Sequence, residues 1–179
     1  MVGAADPVDR DTGRLVHLPE APLTGEAARL LTIGLAEIAA AVAVLRGRIG
    51  ARPAVAVGFC FGGTHAFLAG ANRGLDLDAV VGFYGRLSPG RLPKPAARAS
   101  NFGVPLLGLF GGDDPSIPAE EIEEFHTALR RAGVGHQLVT YPDAPHSFFD
   151  RASAEHMDAC RDCWHQVLDF LEGLRVPAP

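Results

Sequence analysis

Cysteine, aspartate and histidine residues at three places in this sequence have the chemistry of a nucleophile, an acid and a base. Cys60 stands between Gly58 and Gly62, after the apolar residues 54–57 and before a helix-compatible run. A nucleophile on a sharp strand-to-helix turn needs glycines two places to either side, because a Cβ there would clash with the backbone. The N–H groups of the following helix also favour a thiolate. The pattern predicts a cysteine nucleophile.

The same glycine-rich turn has other interpretations. Cysteine is often a buried structural residue, and a strand–turn–helix can also cradle a phosphate group. A phosphate loop needs a lysine directly after its last glycine, which this turn lacks after Gly62 and Gly63. The three-glycine dinucleotide fingerprint is absent as well. The turn alone leaves a catalytic and a structural cysteine open, so partner residues must decide.

Candidate partners follow two later strands. Asp114 comes after the apolar residues 105–110, and His146 comes after residues 136–141. Because the carboxyl ends of parallel strands meet at one edge of a sheet, the order Cys60, Asp114, His146 would bring the three together. His146 would accept the thiol proton, and Asp114 would fix the imidazole tautomer.

Each partner also has a structural interpretation. An aspartate after a strand is commonly a turn or cap residue, and Asp113 or Asp143 could be named as the acid just as well. A histidine in a proline-containing loop, such as His146, is commonly solvated. The joint occurrence of three suitable residues in the suitable order favours the catalytic interpretation.

Strands that alternate with helices must position these residues, which predicts a parallel sheet with right-handed crossovers. A long apolar-periodic helix should begin at Thr24 and break near Gly34. The segment 86–103 is predicted to be a long surface loop. The further predicted elements are strands at 54–57, 79–84, 105–110 and 136–141, and helices at 61–71, 119–132 and 153–174.

The last predicted helix contains a Cys-x-x-Cys pair, Cys160 and Cys163. Because the pair lies inside an amphipathic helix without a second pair, core packing is favoured over a zinc or redox site. Cys160 is expected in the core and Cys163 at its shoulder. The face predicted to be buried comprises Met157, Cys160, Trp164, Val167, Leu168 and Leu171.

Composition limits the classes of protein to consider. The chain has 179 residues, 47% hydrophobic content, a net charge of −5 and three cysteines. This predicts an irregular leader over residues 1–23 and one α/β domain over residues 24–179. The negative charge disfavours nucleic acids and anionic membranes as partners. Without an export signal, a cytoplasmic location and free thiols are expected.

Four segments resemble the dienelactone hydrolase family of cysteine α/β-hydrolases: residues 58–63 (GFCFGG), 82–85 (GFYG), 110–118 (FGGDDPSIP) and 144–148 (APHSF). The resemblance implies a three-layer sandwich with a mainly parallel sheet. It also implies hydrolysis of a small ester or lactone through a thioester on Cys60, with Asp114 and His146, and without cofactor or metal. In addition, it implies oxyanion or substrate contacts by Phe61, Tyr84 and Arg151.

The chain departs from this family at its beginning. Only 59 residues precede Cys60, whereas family members have several strands there and a loop that supplies an oxyanion-hole N–H. An N-terminally reduced fold is therefore expected. The alternatives are an acyl-thioesterase, or a weakly active or inactive member that acts as a homodimeric scaffold through its exposed strand edge.

Overall fold

Four strands lie side by side in chain order and run parallel to one another. The computed structural model describes residues 26–50 and 52–174, so the predicted leader over residues 1–23 lies outside the described residues. The strands are β1 (Val55–Phe59), β2 (Ala79–Phe83), β3 (Leu106–Asp113) and β4 (His136–Pro145). The helices are α1 (Glu26–Ile49), α2 (Phe61–Gly70), α3 (Ala119–Arg131) and α4 (Met157–Gly173).

Helices cover the sheet on both faces. On one face, the ring of Phe67 in α2 packs between Phe110 of β3 and Phe125 of α3, with centroids 6.1 and 5.4 Å away. On the other face, Tyr141 of β4 donates a hydrogen bond to Asp162 of α4. The predicted α/β class with three layers is confirmed. None of the helices in residues 26–50 and 52–174 is long and apolar enough to cross a membrane.

The core is centred on β2 and β3, and β1 lies at a margin of the described sheet. All five residues of β2 are buried, as a continuous apolar run predicts for a strand covered on both faces. By contrast, Val57 and Phe59 of β1 are 46% and 43% exposed. The strand that leads to Cys60, β1, is therefore less enclosed than β2.

Helix α1 runs without interruption from Glu26 to Ile49, so the predicted break near Gly34 is wrong. A Cβ on Gly34 would come 2.7 Å from Cδ2 of His65, which lies on α2. The glycine therefore permits close approach of two helices rather than ending one of them.

The segment 86–103 also differs from the predicted surface loop. It contains a 3₁₀ helix, Pro95–Asn101, and the buried residues Ala99 and Phe102. The ring centroid of Phe102 is 6.2 Å from that of Phe125 on α3. The burial of Ala99 and Phe102 was not predicted, because the prolines of this segment interrupt the apolar periodicity by which buried segments are recognised.

The buried face of helix α4 agrees with the predicted face only in part: Val167 is buried as predicted, and Cys160 and Leu171 pack against the core while remaining partly exposed. Cys163 and Val167 are fully buried, whereas Met157, Trp164 and Leu168 are 61%, 49% and 43% exposed. Cys160 is half-buried, so the expected positions of the two cysteines are reversed. Apolar side chains occupy more than one stripe of this helix, and only the tertiary packing selects the stripe that is covered.

Candidate active site

The turn between β1 and α2 holds Cys60 in a strained backbone conformation. Its φ is 53° and its ψ is −117°, a combination that residues with a side chain rarely adopt. The Cys60 N–H donates to the carbonyl of Phe83 at 3.0 Å, and the Cys60 carbonyl accepts from the N–H groups of Gly63 and Thr64. These bonds fix the turn with Cys60 exposed at the carboxyl end of β1.

Glycine is required at two positions of this turn. A Cβ on Gly58 would overlap the backbone carbonyl of Gly62, and a Cβ on Gly63 would come 2.7 Å from the carbonyl oxygen of Phe83. A Cβ on Gly62 would meet no atom within 4 Å. The predicted need for glycine is confirmed at Gly58 and is wrong for Gly62, whose neighbour Gly63 carries the second constraint.

The structure brings Cys60, His146 and Asp114 together. The Cys60 Sγ lies 3.2 Å from Nε2 of His146, and Nδ1 of His146 lies 2.5 Å from Oδ2 of Asp114. The Asp114 side chain is completely buried, whereas the His146 ring is 29% exposed. Because an ionised carboxylate can only accept, Nδ1 of His146 carries the proton and Nε2 faces the thiol. The alternative acids Asp113 and Asp143 are exposed.

Ser116 is a site residue that sequence reasoning missed. Its hydroxyl donates to Oδ1 of Asp114 at 2.6 Å, and its backbone N–H donates to the same oxygen at 2.9 Å. Oδ2 is left to accept from His146. The signal was present in the sequence, because an aspartate commonly bonds the backbone two residues later in a turn.

Tyr84 lies behind the histidine at the carboxyl end of β2. It is 1% exposed, and its ring meets the His146 ring edge-on with centroids 5.2 Å apart. Burial, followed by the negative charges of Asp150 and Cys60, raises the pKa of Tyr84 to about 12. The phenol therefore stays neutral near neutral pH and walls one side of the His146 ring.

Backbone strain is concentrated around the same cluster. In the described part of the chain, four non-glycine residues have positive φ, and three of them are Cys60, Tyr84 (37°) and Ser147 (62°). The fourth, Asp76, ends a 3₁₀ helix. Strained backbone conformations persist only where the surrounding structure holds them, and they are concentrated at functional sites. Their clustering here therefore marks the carboxyl end of the sheet as the candidate site.

The remaining predicted site residues flank the cluster. Phe61 is the first residue of α2, where backbone N–H groups have no acceptor within the helix, so its N–H is available beside Cys60. Arg151 is exposed in the turn after His146, and its N–H donates to the carbonyl of Ser147. Within the described residues, the Arg151 side chain makes no hydrogen bond to the three central residues, and its role remains a prediction.

The other two thiols are in unreactive surroundings. Burial raises the pKa of Cys163 to about 12 and also raises the pKa of Cys160. The Cys160 thiol donates to the carbonyl of Phe148 at 3.3 Å. Since the thiolate is the reactive form, exposed Cys60 is the thiol best suited to nucleophilic chemistry.

Comparisons with known proteins identify relatives of this chain. A model of the dienelactone hydrolase family matches residues 27–174. A protein of Yersinia pestis, named provisionally as a carboxymethylenebutenolidase, is 41% identical over 126 residues, which are 68% of this chain and 47% of that protein. The chain therefore spans about half the length of the curated relatives it matches.

Solved structures give a similar result. A crystal structure of a provisionally assigned dienelactone hydrolase from Klebsiella pneumoniae superposes with a TM-score of 0.70 and 30% identity, over 82% of this chain and 61% of that one. A dienelactone hydrolase-like promiscuous phosphotriesterase from metagenomic libraries has a TM-score of 0.65 at 23% identity, over 92% of this chain and 72% of that one, and shares the fold. This chain belongs to the dienelactone hydrolase family.

Proposed function

We propose that this chain hydrolyses small carboxylic esters or lactones with Cys60 as the nucleophile. The observation that carries the proposal is the hydrogen-bonded line from Cys60 through His146 to Asp114, with contacts of 3.2 and 2.5 Å. A nucleophile within reach of a base, with the base oriented by a third group, is the arrangement that acyl transfer needs. The names of its relatives support ester or lactone substrates.

Acylation begins when Nε2 of His146 accepts the thiol proton. The Cys60 sulfur attacks the ester carbonyl carbon, and the carbonyl oxygen becomes an oxyanion that the Phe61 N–H stabilises. Collapse of this intermediate breaks the bond to the ester oxygen, which takes the proton from His146 and leaves as an alcohol. With a lactone, that alcohol remains attached to the acyl chain. Cys60 now holds a thioester.

Deacylation repeats these steps with water. His146 removes a proton from a water molecule as it attacks the thioester carbonyl, and then returns that proton to the departing Cys60 sulfur. A free carboxylic acid and the original thiol result. Asp114 remains ionised throughout, holds Nδ1–H in place and stabilises the imidazolium that forms in both halves of the reaction.

Two groups position the acid and the base. Ser116 holds Oδ1 of Asp114 through two hydrogen bonds, which directs Oδ2 to His146. The buried Tyr84 ring supports His146 from the side. We further propose that Arg151 contacts the substrate through its exposed cation, which can attract a substrate carboxylate. A contact between Tyr84 and the substrate would require movement of the residues that bury this side chain.

The proposal is tested with p-nitrophenyl acetate, an enol-lactone and an S-acyl thioester as substrates. Wild-type protein should release acid from at least one of them and accumulate an acyl group on Cys60, seen by intact mass after acid quench. Cys60→Ala should abolish both, whereas the matched variant Cys160→Ala should keep both. Faster hydrolysis of the thioester than of the two esters would identify an acyl-thioesterase. A cysteine nucleophile suits this substrate, because thiol–thioester exchange replaces one thioester bond with another.

Two outcomes would contradict the mechanism. Hydrolysis that is unchanged in Cys60→Ala would exclude Cys60 as the nucleophile. An acyl group that maps to Cys160 or Cys163 in the wild-type protein would place the chemistry elsewhere.

A scaffold role as a homodimer is a second candidate, and the β1 margin favours it. Val57, Phe59 and Phe61 are 46%, 43% and 58% exposed. A strand edge with apolar side chains promotes pairing with another strand. Sedimentation equilibrium tests this candidate: a dimer without turnover of any substrate supports the scaffold, and a monomer with turnover contradicts it.

A further inference from the structure

His126 and His136 form a pair at the opposite edge of the sheet from Cys60. His126 lies on α3, and His136 is the first residue of β4, ten residues before His146, which follows the other end of that strand. Nε2 of His136 is 3.1 Å from Nδ1 of His126, and the ring centroids are 4.9 Å apart at an interplanar angle of 67°. Both residues are half-buried. The proposed hydrolysis uses neither.

The backbone fixes the orientation of His136. Its Nδ1 is 2.7 Å from the carbonyl oxygen of Val134. Because a carbonyl can only accept, this Nδ1 carries a proton, and in the neutral ring the lone pair of Nε2 points toward His126. Histidines that bind metal ions characteristically donate their other N–H to a carbonyl or carboxylate. The strand therefore presents His136 as a ready Nε2 ligand.

The two rings also have the geometry of a chelate. Nitrogens about 2.1 Å from one ion and 3.1 Å from each other subtend about 95° at that ion. An ion on both ring axes would place the centroids about 4.8 Å apart, close to the observed 4.9 Å. A collinear hydrogen bond would place them about 5.4 Å apart instead. Both distances are therefore compatible with one metal ion bound to the two rings.

We propose that His126 and His136 bind a divalent late first-row transition-metal ion, Zn²⁺, Ni²⁺ or Cu²⁺, that links α3 to the start of β4. Imidazole nitrogen suits these three ions, and the affinity should be highest for Cu²⁺. Within residues 26–50 and 52–174 no group of three or more His, Cys, Asp or Glu side chains is placed to hold a metal. Water or an external chelator therefore completes the coordination.

Binding requires one proton to move and no redox step. In the hydrogen-bonded pair, Nδ1 of His126 donates its proton to Nε2 of His136. When the ion binds, that proton transfers through solvent to Nε2 of His126, so both rings remain neutral and each offers one lone pair. The ion thus replaces a single hydrogen bond with two coordinate bonds between the helix and the strand.

The test uses the iminodiacetate complexes of Ni²⁺ and Cu²⁺, which leave adjacent positions free for two imidazoles. Tag-free wild-type protein and Cys60→Ala, which lacks the exposed thiol, are titrated with Ni²⁺–iminodiacetate by calorimetry. One site should appear in both. Its affinity should fall about tenfold or more in His126→Ala or His136→Ala, because a rigid pair of ligands gains from effective concentration. The matched variant His165→Ala, at an exposed position of α4, should bind as the parent does.

A second measurement does not depend on histidine variants. The electron paramagnetic resonance spectrum of Cu²⁺–iminodiacetate on Cys60→Ala should show two imidazole nitrogens on one ion. Thermal melts in EDTA identify any variant that does not fold. A spectrum with one imidazole nitrogen, or an affinity that falls as much in His165→Ala as in His136→Ala, overturns the proposal.

Discussion

The two halves of the candidate catalytic cluster lie in different surroundings. The acid of the acid–base half, Asp114, follows β3, in which residues 106–111 are buried, and its side chain has no exposure. The proposed nucleophile, Cys60, follows β1 at the margin of the described sheet, where Val57 and Phe59 are nearly half exposed. One line of hydrogen bonds therefore runs from the interior of the protein to its surface.

This contrast separates two requirements of the chemistry. A carboxylate orients an imidazole best where water is excluded, because a low dielectric strengthens the interaction and no water competes for the donor. A nucleophile must be reached by its substrate, so Cys60 has to be exposed. We therefore expect changes in the acid–base half to act on rate, and changes at the Cys60 turn to act on folding as well.

The largest expected effect on the rate comes from replacing Asp114, the acid in the buried half of the cluster. Asp114→Asn keeps the shape but can present an amide N–H to Nδ1, which selects the wrong tautomer of His146, and kcat/KM should fall about 10³- to 10⁴-fold. Steady-state hydrolysis of the best ester measures it. The matched variant Asp113→Asn, at an exposed position of β3, should change the rate little. Similar losses in both variants would contradict the assignment of the acid.

The next effect concerns folding at the Cys60 turn. Gly58→Ala places a Cβ against the carbonyl of Gly62, and the resulting backbone shift should lower the free energy of unfolding by about 2–3 kcal/mol. In Gly62→Ala the new Cβ meets no atom within 4 Å, so stability should change by about 1 kcal/mol or less. Urea unfolding of the pair measures both values. Equal losses in the two variants would contradict the steric difference between the two positions.

Two buried acidic side chains beside the cluster, Cys163 and Tyr84, should also make the protein sensitive to alkali. Burial raises the pKa of Cys163 from 9.0 to about 12 and that of Tyr84 from 10.0 to about 12. Between these values the unfolded chain has lost protons that the folded chain retains, so the free energy of unfolding should fall from about pH 9 toward pH 12. Urea unfolding at a series of pH values measures the slope. Cys163→Val should reduce the slope between pH 9 and 10, and an unchanged slope would exclude Cys163 as its source.

The smallest effect is expected at Ser116, which would act on the proposed triad through its hydrogen bonds to Asp114. Ser116→Ala removes one hydrogen bond to a carboxylate and leaves the backbone N–H, so kcat/KM should fall about tenfold. Ser116→Thr, which restores a hydroxyl, should recover most of the activity, while Ser100→Ala at an exposed site should have no effect. If Ser116→Thr is as slow as Ser116→Ala, the hydroxyl does not position the acid.

The sequence by itself determined the features that depend on neighbouring residues. The continuous apolar run of β2 predicted a strand buried on both faces, and the glycines around Cys60 predicted the sharp turn. The order Cys60, Asp114, His146, combined with alternating strands and helices, predicted that the three would meet at one edge of the sheet. Such predictions succeed because backbone conformation and strand direction are set largely by local side-chain patterns.

Only the tertiary structure decided the features that depend on distant residues. The face of α4 that is buried depends on which surfaces lie beside the helix, and its apolar residues extend around more than one stripe. The break of α1 at Gly34 was wrongly predicted. The residue that requires a glycine there, His65, lies 31 residues away on another helix, where no local pattern reveals it. The pairing of His126 with His136 likewise requires α3 to pack against the start of β4. Close packing between elements selects such contacts from many alternatives, and no local pattern records that choice.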